Sequence, residues 1–342
     1  MFNKRCKKCL ISKNYPNTEF DDRGICNYCN GDKDYNISGE ITDRIKRKDE
    51  FREDFERTVK TCKGKKYDCV VGLSGGKDSI YLLYLMKEEY GLNCLAFTVD
   101  NGLVSDYAKE NIEIAVKALR VDHIYCRPTH NFYRKFYKKI IKNPGEKGYV
   151  NTICSICSEL FHSTALKLAV ENNIPLVLIG YSPDQVTKYF YEMPLNEISE
   201  SRIPETLHSN EFTDKDRDYF WNPTKYKIEN YPRVLFPYHV IPYPGIEKIE
   251  AFLQGKKLIN VSNPLYTNCS LSWLTIYLDL KKNGFNPLES NYSELIRSGK
   301  AKRWRWLPVF SLGNILLKKR LVKRKDIKKS LNFLNVTLRE IL

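Results

Sequence analysis

Ser74-Gly75-Gly76-Lys77-Asp78-Ser79 stands where an apolar run, residues 68–73, hands over to an apolar-periodic pattern over residues 77–89. The run predicts a strand and the pattern a helix, which puts the two glycines in the turn between them. A glycine pair there lets the backbone turn tightly and aim successive N–H groups into one concavity. The start of the following helix makes that concavity electropositive, so phosphate oxygens are its natural occupant. A helix cap explains some of the same residues, because Ser74 and Asp78 are both good capping types. The common nucleoside triphosphatase loop, G-x-x-x-x-G-K-S/T, does not fit: Gly72 is followed at the required offset by Lys77 and Asp78. Simple γ-phosphate hydrolysis is therefore disfavoured.

Outward from this turn, strand and helix patterns alternate. Residues 93–99 read as a strand before a helix over 106–120, and 123–126 as a strand before a helix over 132–142. A loop containing Pro144, Gly145 and Gly148 precedes a helix over 157–171 and a strand over 175–180. Such alternation predicts an α/β fold with a parallel sheet and right-handed crossovers. Residues 43–60, with Phe51, Phe55 and Val59 at four-residue spacing, read as a connecting helix. From 181 to 233 the pattern dissolves into aromatic, acidic and proline residues, which reads as a substrate-covering insertion. Strand signals return at 234–236, and 244–253 reads as a helix leading into a helical C-terminal region. Three units follow: a knuckle over 1–40, an α/β domain over 41–260 and a basic helical region over 261–342.

The 342 residues allow one substantial core with appended modules. No run approaches the ~20 apolar residues of a membrane span, and the Lys- and Cys-rich start lacks the apolar stretch of a signal peptide. The expectation is a soluble, cytoplasmic protein. The net charge of +15 is concentrated: between Lys300 and Lys329 stand twelve Lys and Arg against the single Asp326. Interleaved with Trp304, Trp306 and Phe310, this tail suits RNA phosphates or an anionic membrane surface, or is simply a solvated helical face.

Eleven cysteines in a chain of this size and class point to metal before disulfides. Cys6-Lys-Lys-Cys9 and Cys26-Asn-Tyr-Cys29 have the paired C-x₂-C spacing that folds four thiolates around one tetrahedral Zn²⁺. So small a knuckle buries little apolar surface, so the metal would supply its folding free energy. Cys62, Cys69, Cys94 and Cys126 lie singly in or beside strands and read as small buried hydrophobes.

The hexapeptide at 74–79 resembles the PP-loop of the N-type ATP pyrophosphatases. The resemblance implies a HUP-like sandwich that splits ATP into AMP and pyrophosphate while adenylating a substrate oxygen. Departing pyrophosphate needs electrostatic stabilisation. The loop N–H groups and Lys77 would supply it, and Asp78 would orient Mg²⁺ or cap the helix. Ser74 and Ser79 would complete the cradle or satisfy helix-terminal backbone groups. Ligands of open parallel sheets bind outside the carboxyl ends of the strands, which brings Asp100, Asn101, Gly102, Gly180 and Asp184 toward the same nucleotide. Asp100 or Asn101 would meet the ribose, Gly102 turns the chain, and Gly180 leaves room for adenine.

A longer stretch narrows the resemblance. Asn17-Thr-Glu-Phe-Asp-Asp-Arg-Gly-Ile-Cys26-Asn-Tyr-Cys29, then Tyr67-Asp-Cys-Val-Val-Gly-Leu before the loop, Asp100-Asn-Gly102 and Val121-Asp-His-Ile124, looks like the N-acetyl sugar amidotransferase family. That family implies adenylation of a sugar acid or amide in surface-polysaccharide pathways and replacement of oxygen by nitrogen from ammonia. No glutaminase signature is present and position 2 is Phe, so ammonia would come from a separate glutaminase subunit. Cys154-Ser-Ile-Cys157, with Cys269 far downstream, looks instead like the iron–sulfur-dependent tRNA thiolases, where three thiolates hold a 4Fe–4S cluster with one open iron. Those enzymes place a basic residue soon after C-x-x-C, where this chain has Leu160-Phe161-His162. They place a paired acid after the fourth strand's glycine, where it has Asp184-Gln185. Three roles stay open for Cys154, Cys157 and Cys269: a cluster or redox site, a second zinc or dithiol, and packed thiols. His162, one turn beyond Cys157, reads as a further ligand, a proton carrier or a core residue. The functional readings are a sugar-type amidotransferase, a tRNA 2-thiolation enzyme using the basic tail, and a non-catalytic ATP- or RNA-binding module. A homodimer is compatible with each.

Overall fold

The computed structural model describes residues 4–31, 47–144, 148–183, 189–260 and 267–342. Asp184 and Gln185 lie outside the described residues, as do Gly145 and the first residues of the connecting helix expected from 43. Strands β1 (Cys69–Gly72), β2 (Cys94–Val99), β3 (Asp122–Cys126), β4 (Leu176–Leu178) and β5 (Arg233–Leu235) form one parallel sheet in the order β3-β2-β1-β4-β5. Helices α1 (Lys48–Thr61), α2 (Lys77–Tyr84), α3 (Asp106–Leu119), α4 (His130–Lys142), α5 (Gly148–Glu171), α6 (Ile246–Gly255) and α7 (Leu271–Lys282) surround it.

The period of two along each strand sorts the core into two layers. Cys69, Val71, Leu73, Cys94 and Ala96 pack with α1, α2, α3 and α6. Val70, Leu95, Phe97 and Val177 pack instead with Ala165, Leu166 and Ala169 of α5. This is the α/β sandwich expected from the sequence, with the glycine loop at the carboxyl end of the central strand. Among the described residues α5 is the one helix long and apolar enough to cross a membrane, and here it packs against β1, β2 and β4.

The sequence reading starts α5 at Cys157, but the helix begins at Gly148. Its opening turn is held by a distant carboxylate. Tyr149 and Val150 donate their N–H groups to the two oxygens of Asp279 at 3.0 and 2.9 Å. Asp279 is fully buried on α7. Gly148 has φ of +80°, and a Cβ there would stand 2.5 Å from the same carboxylate. Cys154 and Cys157 therefore share a helix face one turn apart, where the sequence reading had placed Cys154 in a loop.

The segment 189–233 is a packed wall. Trp221 is fully buried and stacks on Tyr226, and Phe212 and Phe220 join the core made by Phe132 and Phe136 of α4. The amino-terminal knuckle docks on the C-terminal helices. Arg303 donates to the carbonyls of Cys9 and Cys6 at 2.5 and 3.0 Å, and Arg5 pairs with buried Glu289 at 2.9 Å. Leu10 packs with Trp306 and Phe310. Those two rings are buried, so they do not interleave the basic surface as the sequence suggested; Trp304, 72% exposed, does.

Asp279→Ala removes a cap and leaves two amides unpaired. It is expected to cost about 1–3 kcal/mol, read as a lower Tm, with the new proteolytic sensitivity confined to the start of α5.

Candidate active site

The glycine loop closes on itself through Ser79. Its hydroxyl donates to the Gly76 carbonyl at 3.0 Å and accepts from the Ser74 N–H at 3.1 Å. Ser79 is buried and knots the turn, while Ser74 is exposed. Gly75 has φ of +76°, and a Cβ would meet the Ala108 carbonyl oxygen of α3 at 2.3 Å, so no other residue fits without moving that helix. Asn111 on the same helix donates to the Gly75 carbonyl at 3.1 Å. The N-cap of α2 is Gly76, and no side chain caps it. Neither Ser74 nor Asp78 thus plays the capping part that the alternative reading gave them. The first amides of α2 carry the positive end of the helix dipole toward the cleft, where an anion fits.

Asp78 is fixed from three sides. Lys77 Nζ lies 2.8 Å from Oδ2, the Tyr243 hydroxyl donates to Oδ1 at 2.9 Å, and the Tyr238 hydroxyl donates to its carbonyl at 2.6 Å. Burial pulls the Lys77 ammonium toward deprotonation, but Asp78, with Tyr292 and Glu250 beyond it, more than offsets this and holds its pKa above the ordinary lysine value. Lys77 is a permanent positive charge. Gly180 presses on this same turn, where a Cβ would stand 3.3 Å from the Asp78 carbonyl. Close packing against α2 accounts for this glycine.

At the end of β2, buried Asp100 accepts from the Gly102 N–H at 2.8 Å and pairs with Arg127 at the end of β3. Its carboxylate builds the turn. Gly102, with φ of +77°, abuts Phe333. Asn101 accepts from the Leu103 N–H at 2.8 Å and donates to the Tyr137 hydroxyl at 3.1 Å and to Cys269 Sγ at 3.4 Å. The Tyr137 hydroxyl lies 3.3 Å from Cys157 Sγ. Cys157 and Cys269, which are 112 positions apart by their numbers, thus join one polar chain. Asn268 ties this chain to the loop, donating to Ser74 Oγ at 3.2 Å.

Cys154 lies one turn from Cys157 on α5 and is exposed; desolvation, then Cys269 and Asp279, pushes its thiol up to about 12. Burial raises the Cys157 and Cys269 thiols as well. The three sulfurs are wider apart than one ion needs: among the described residues, only Cys6, Cys9, Cys26 and Cys29 gather their donor atoms within 4.8 Å of one another.

The four amino-terminal cysteines fit a metal ion closely. Cys6 and Cys29 sulfurs are 3.8 Å apart and those of Cys9 and Cys26 are 3.7 Å apart. A tetrahedron with Zn–S bonds of about 2.3 Å has edges of about 3.8 Å. The N–H groups of Lys8, Cys9 and Cys26 donate to Cys6 Sγ at 3.4, 3.5 and 3.3 Å.

Tyr238, Tyr243, Asn111, Asn268 and Tyr137 escaped the sequence reading. Tyr238 and Tyr243 belong to Pro237-Tyr-His-Val-Ile-Pro-Tyr-Pro244, directly after β5. Two tyrosines among prolines at the carboxyl edge of a parallel sheet were a usable signal. Asn111 and Asn268 carried none.

No protein-family model matches the chain. Over 118 residues it is 34% identical to an uncharacterized protein of Methanocaldococcus jannaschii, a match covering 34% of this chain and 39% of that protein. Over 119 residues it is 34% identical to GMP synthase (glutamine-hydrolyzing) of Baumannia cicadellinicola, covering 34% of this chain and 22% of that protein. The matches thus span less than half the length of either relative. Among solved structures it is similar to the U34-tRNA thiolase NcsA of Methanococcus maripaludis with its 4Fe–4S cluster, at 16% identity and a TM-score of 0.36, covering 95% of this chain and 90% of that one. NMN synthetase of Francisella tularensis gives 11% identity and a TM-score of 0.32, covering 82% of this chain and 95% of that one. The fold is a parallel five-stranded α/β sandwich with the glycine loop at the carboxyl end of its central strand.

His239, in the segment that holds Asp78, is buried and its pKa is pulled down to about 4 by desolvation and then by Lys48. A histidine that charges more easily unfolded than folded contributes stability that is whole above its ordinary value of 6.5 and is lost as pH falls toward 4. His162, pulled down to about 3, acts in the same direction. The Tm is expected to fall between pH 6.5 and pH 4, and His239→Phe to make that slope shallower.

Proposed function

We propose that this protein is an AMP-forming, ATP-dependent adenylating enzyme that transfers nitrogen to an activated carboxyl or amide carbon of a sugar-type metabolite. It resembles the N-acetyl sugar amidotransferases of surface-polysaccharide biosynthesis. The observation that carries the adenylation is the uncapped start of α2, with Lys77 and the fixed Asp78 beside it, at the carboxyl end of the central strand. The nitrogen transfer rests on the amino-terminal stretch through Ile124 that looks like that family. A cytoplasmic placement belongs to this proposal, since cysteines that hold metal must stay reduced.

In this reading the acceptor oxygen attacks the α-phosphorus of ATP, the bond to the bridging oxygen breaks, and pyrophosphate leaves. Backbone N–H groups of residues 75–78 and Lys77 Nζ neutralise the departing charge. Asp78, held by Tyr243, would bind Mg²⁺, which neutralises phosphate charge. Ammonia, delivered by a separate glutaminase, then attacks the activated carbon. AMP departs with the oxygen, and the nitrogen loses a proton. The knuckle cysteines would hold a structural zinc that keeps residues 4–31 folded against the C-terminal helices.

A second reading, tRNA thiolation, is favoured by one observation: Tyr137 and Asn101 link Cys157, one helical turn from Cys154, to Cys269. The three cysteines would hold a 4Fe–4S cluster, which supplies an open iron for sulfide. The basic surface around Lys319, Arg320, Arg324 and Lys328 would meet the tRNA phosphates.

Lys77→Ala is expected to lower pyrophosphate release about 10²–10³-fold while leaving metal content unchanged; normal turnover in this variant would remove the adenylation reading. Zinc, iron and acid-labile sulfide, measured on protein purified without oxygen, separate the two transfers. One zinc without iron is expected for nitrogen transfer. Zinc with about four iron and matching sulfide would select sulfur transfer.

A further inference from the structure

A cavity of about 470 Å³ opens between α5 and the loop of residues 201–204, beside the segments that follow β4 and β5. Its α5 wall is the stripe Ser155, Ser158, Glu159 and His162, spaced i, i+3, i+4, i+7 on one helix face. The neighbouring stripe carries Cys154 and Cys157. One helix thus separates the cysteine cleft from this cavity by a fraction of a turn, and the Tyr181 hydroxyl in the cavity wall lies within electrostatic reach of Cys154.

The cavity is built around a buried cation. Arg202 is 9% exposed; its Nη1 donates to Glu159 at 2.6 Å and its Nη2 faces the Met193 sulfur at 2.9 Å. The Tyr189 hydroxyl also reaches it. A thioether is a weak acceptor. Arg202 Nε and His162 Nδ1, on residues that line the cavity, are buried and have no hydrogen-bond partner. His162 is 6% exposed, and its Nε2 lies 3.3 Å from the Tyr181 hydroxyl. Buried polar atoms are almost always paired, so two orphans on residues of one cavity wall single this wall out. The volume suits a small molecule. A guanidinium with spare N–H groups asks for a carbonyl or carboxylate oxygen, and the serine hydroxyls and Glu159 oxygens pair with ligand hydroxyls.

We propose that this cavity is the acceptor pocket, taking a hydroxylated small molecule whose carbonyl or carboxylate oxygen accepts from Arg202 while Glu159 and Ser158 engage its hydroxyls. As an acceptor site it rests on the adenylation reading above; as a binding site it stands without it. His162, through Nε2, orients the Tyr181 hydroxyl in the cavity wall.

The test is calorimetric titration of the full chain with D-glucuronamide, D-glucuronic acid and uridine as probes, and with a non-hydrolysable ATP analogue as the control for folding. Wild type is expected to bind one or both uronic probes. Glu159→Gln and Arg202→Lys are expected to weaken this at least tenfold, with analogue binding within twofold of wild type. Ser158→Ala, which leaves the ion pair intact, is expected to weaken it several-fold and keeps the test open should Arg202→Lys fail to fold. Absence of uronic binding, binding indifferent to these variants, or binding of uridine alone would overturn the pocket. Pyrophosphate release in the same preparations separates the two proposals. Uronic binding lost in the variants, with no ATP cleavage in wild type, would keep the pocket and remove the adenylation reading; ATP cleavage with indifferent variants would do the reverse.

Discussion

The Asp279 carboxylate, buried on α7 and accepting from the first amides of α5, is the contact on which both candidate sites depend. It starts α5 at Gly148, and the helical period then distributes the side chains that follow. Cys154 and Cys157 fall on one stripe, facing Tyr137 and Cys269. Ser155, Ser158, Glu159 and His162 fall on the next, facing Arg202. A different start for this helix would take both stripes away together. A buried carboxylate is costly unless its oxygens are well supplied with donors; Asn283 adds a third at 2.7 Å.

The glycine loop shows the complementary economy. Its shape is imposed by Ala108 and Asn111 of α3 pressing on Gly75, by Ser79 closing the turn, and by Asn268 reaching Ser74. None of these contacts uses the first amides of α2. A helix end in a crowded cleft without a cap is an incomplete structure, and the electropositive end it leaves is complementary to phosphate. Lys77 keeps its charge there because Asp78 compensates its burial.

The knuckle and the C-terminal helices form one further arrangement. Arg303 fastens the carbonyls of the first cysteine pair, and Arg5 with Glu289 fastens the other side. Part of the basic tail is therefore spent inside the protein. The remainder, around Lys319, Arg320 and Arg324, stays at the surface.

The sequence by itself determined the parallel α/β sandwich, the position of the loop at residues 74–79 and the four knuckle cysteines. These are local signals: a period of two or of 3.6, a glycine pair, a C-x₂-C spacing. It also named Cys154, Cys157 and Cys269. That Cys157 and Cys269 are linked was decided by the tertiary structure, because the link runs through Tyr137, whose residue type announces nothing, and through Asn101, which the sequence offered only to a ribose. The helix start at Gly148 was invisible for the same reason: its cap comes from Asp279, far along the chain. The ties on Asp78 from Tyr238 and Tyr243, and the burial of Trp306 and Phe310 against Leu10, are likewise long-range. Periodicity reports which face of an element is apolar, and only packing decides what that face meets.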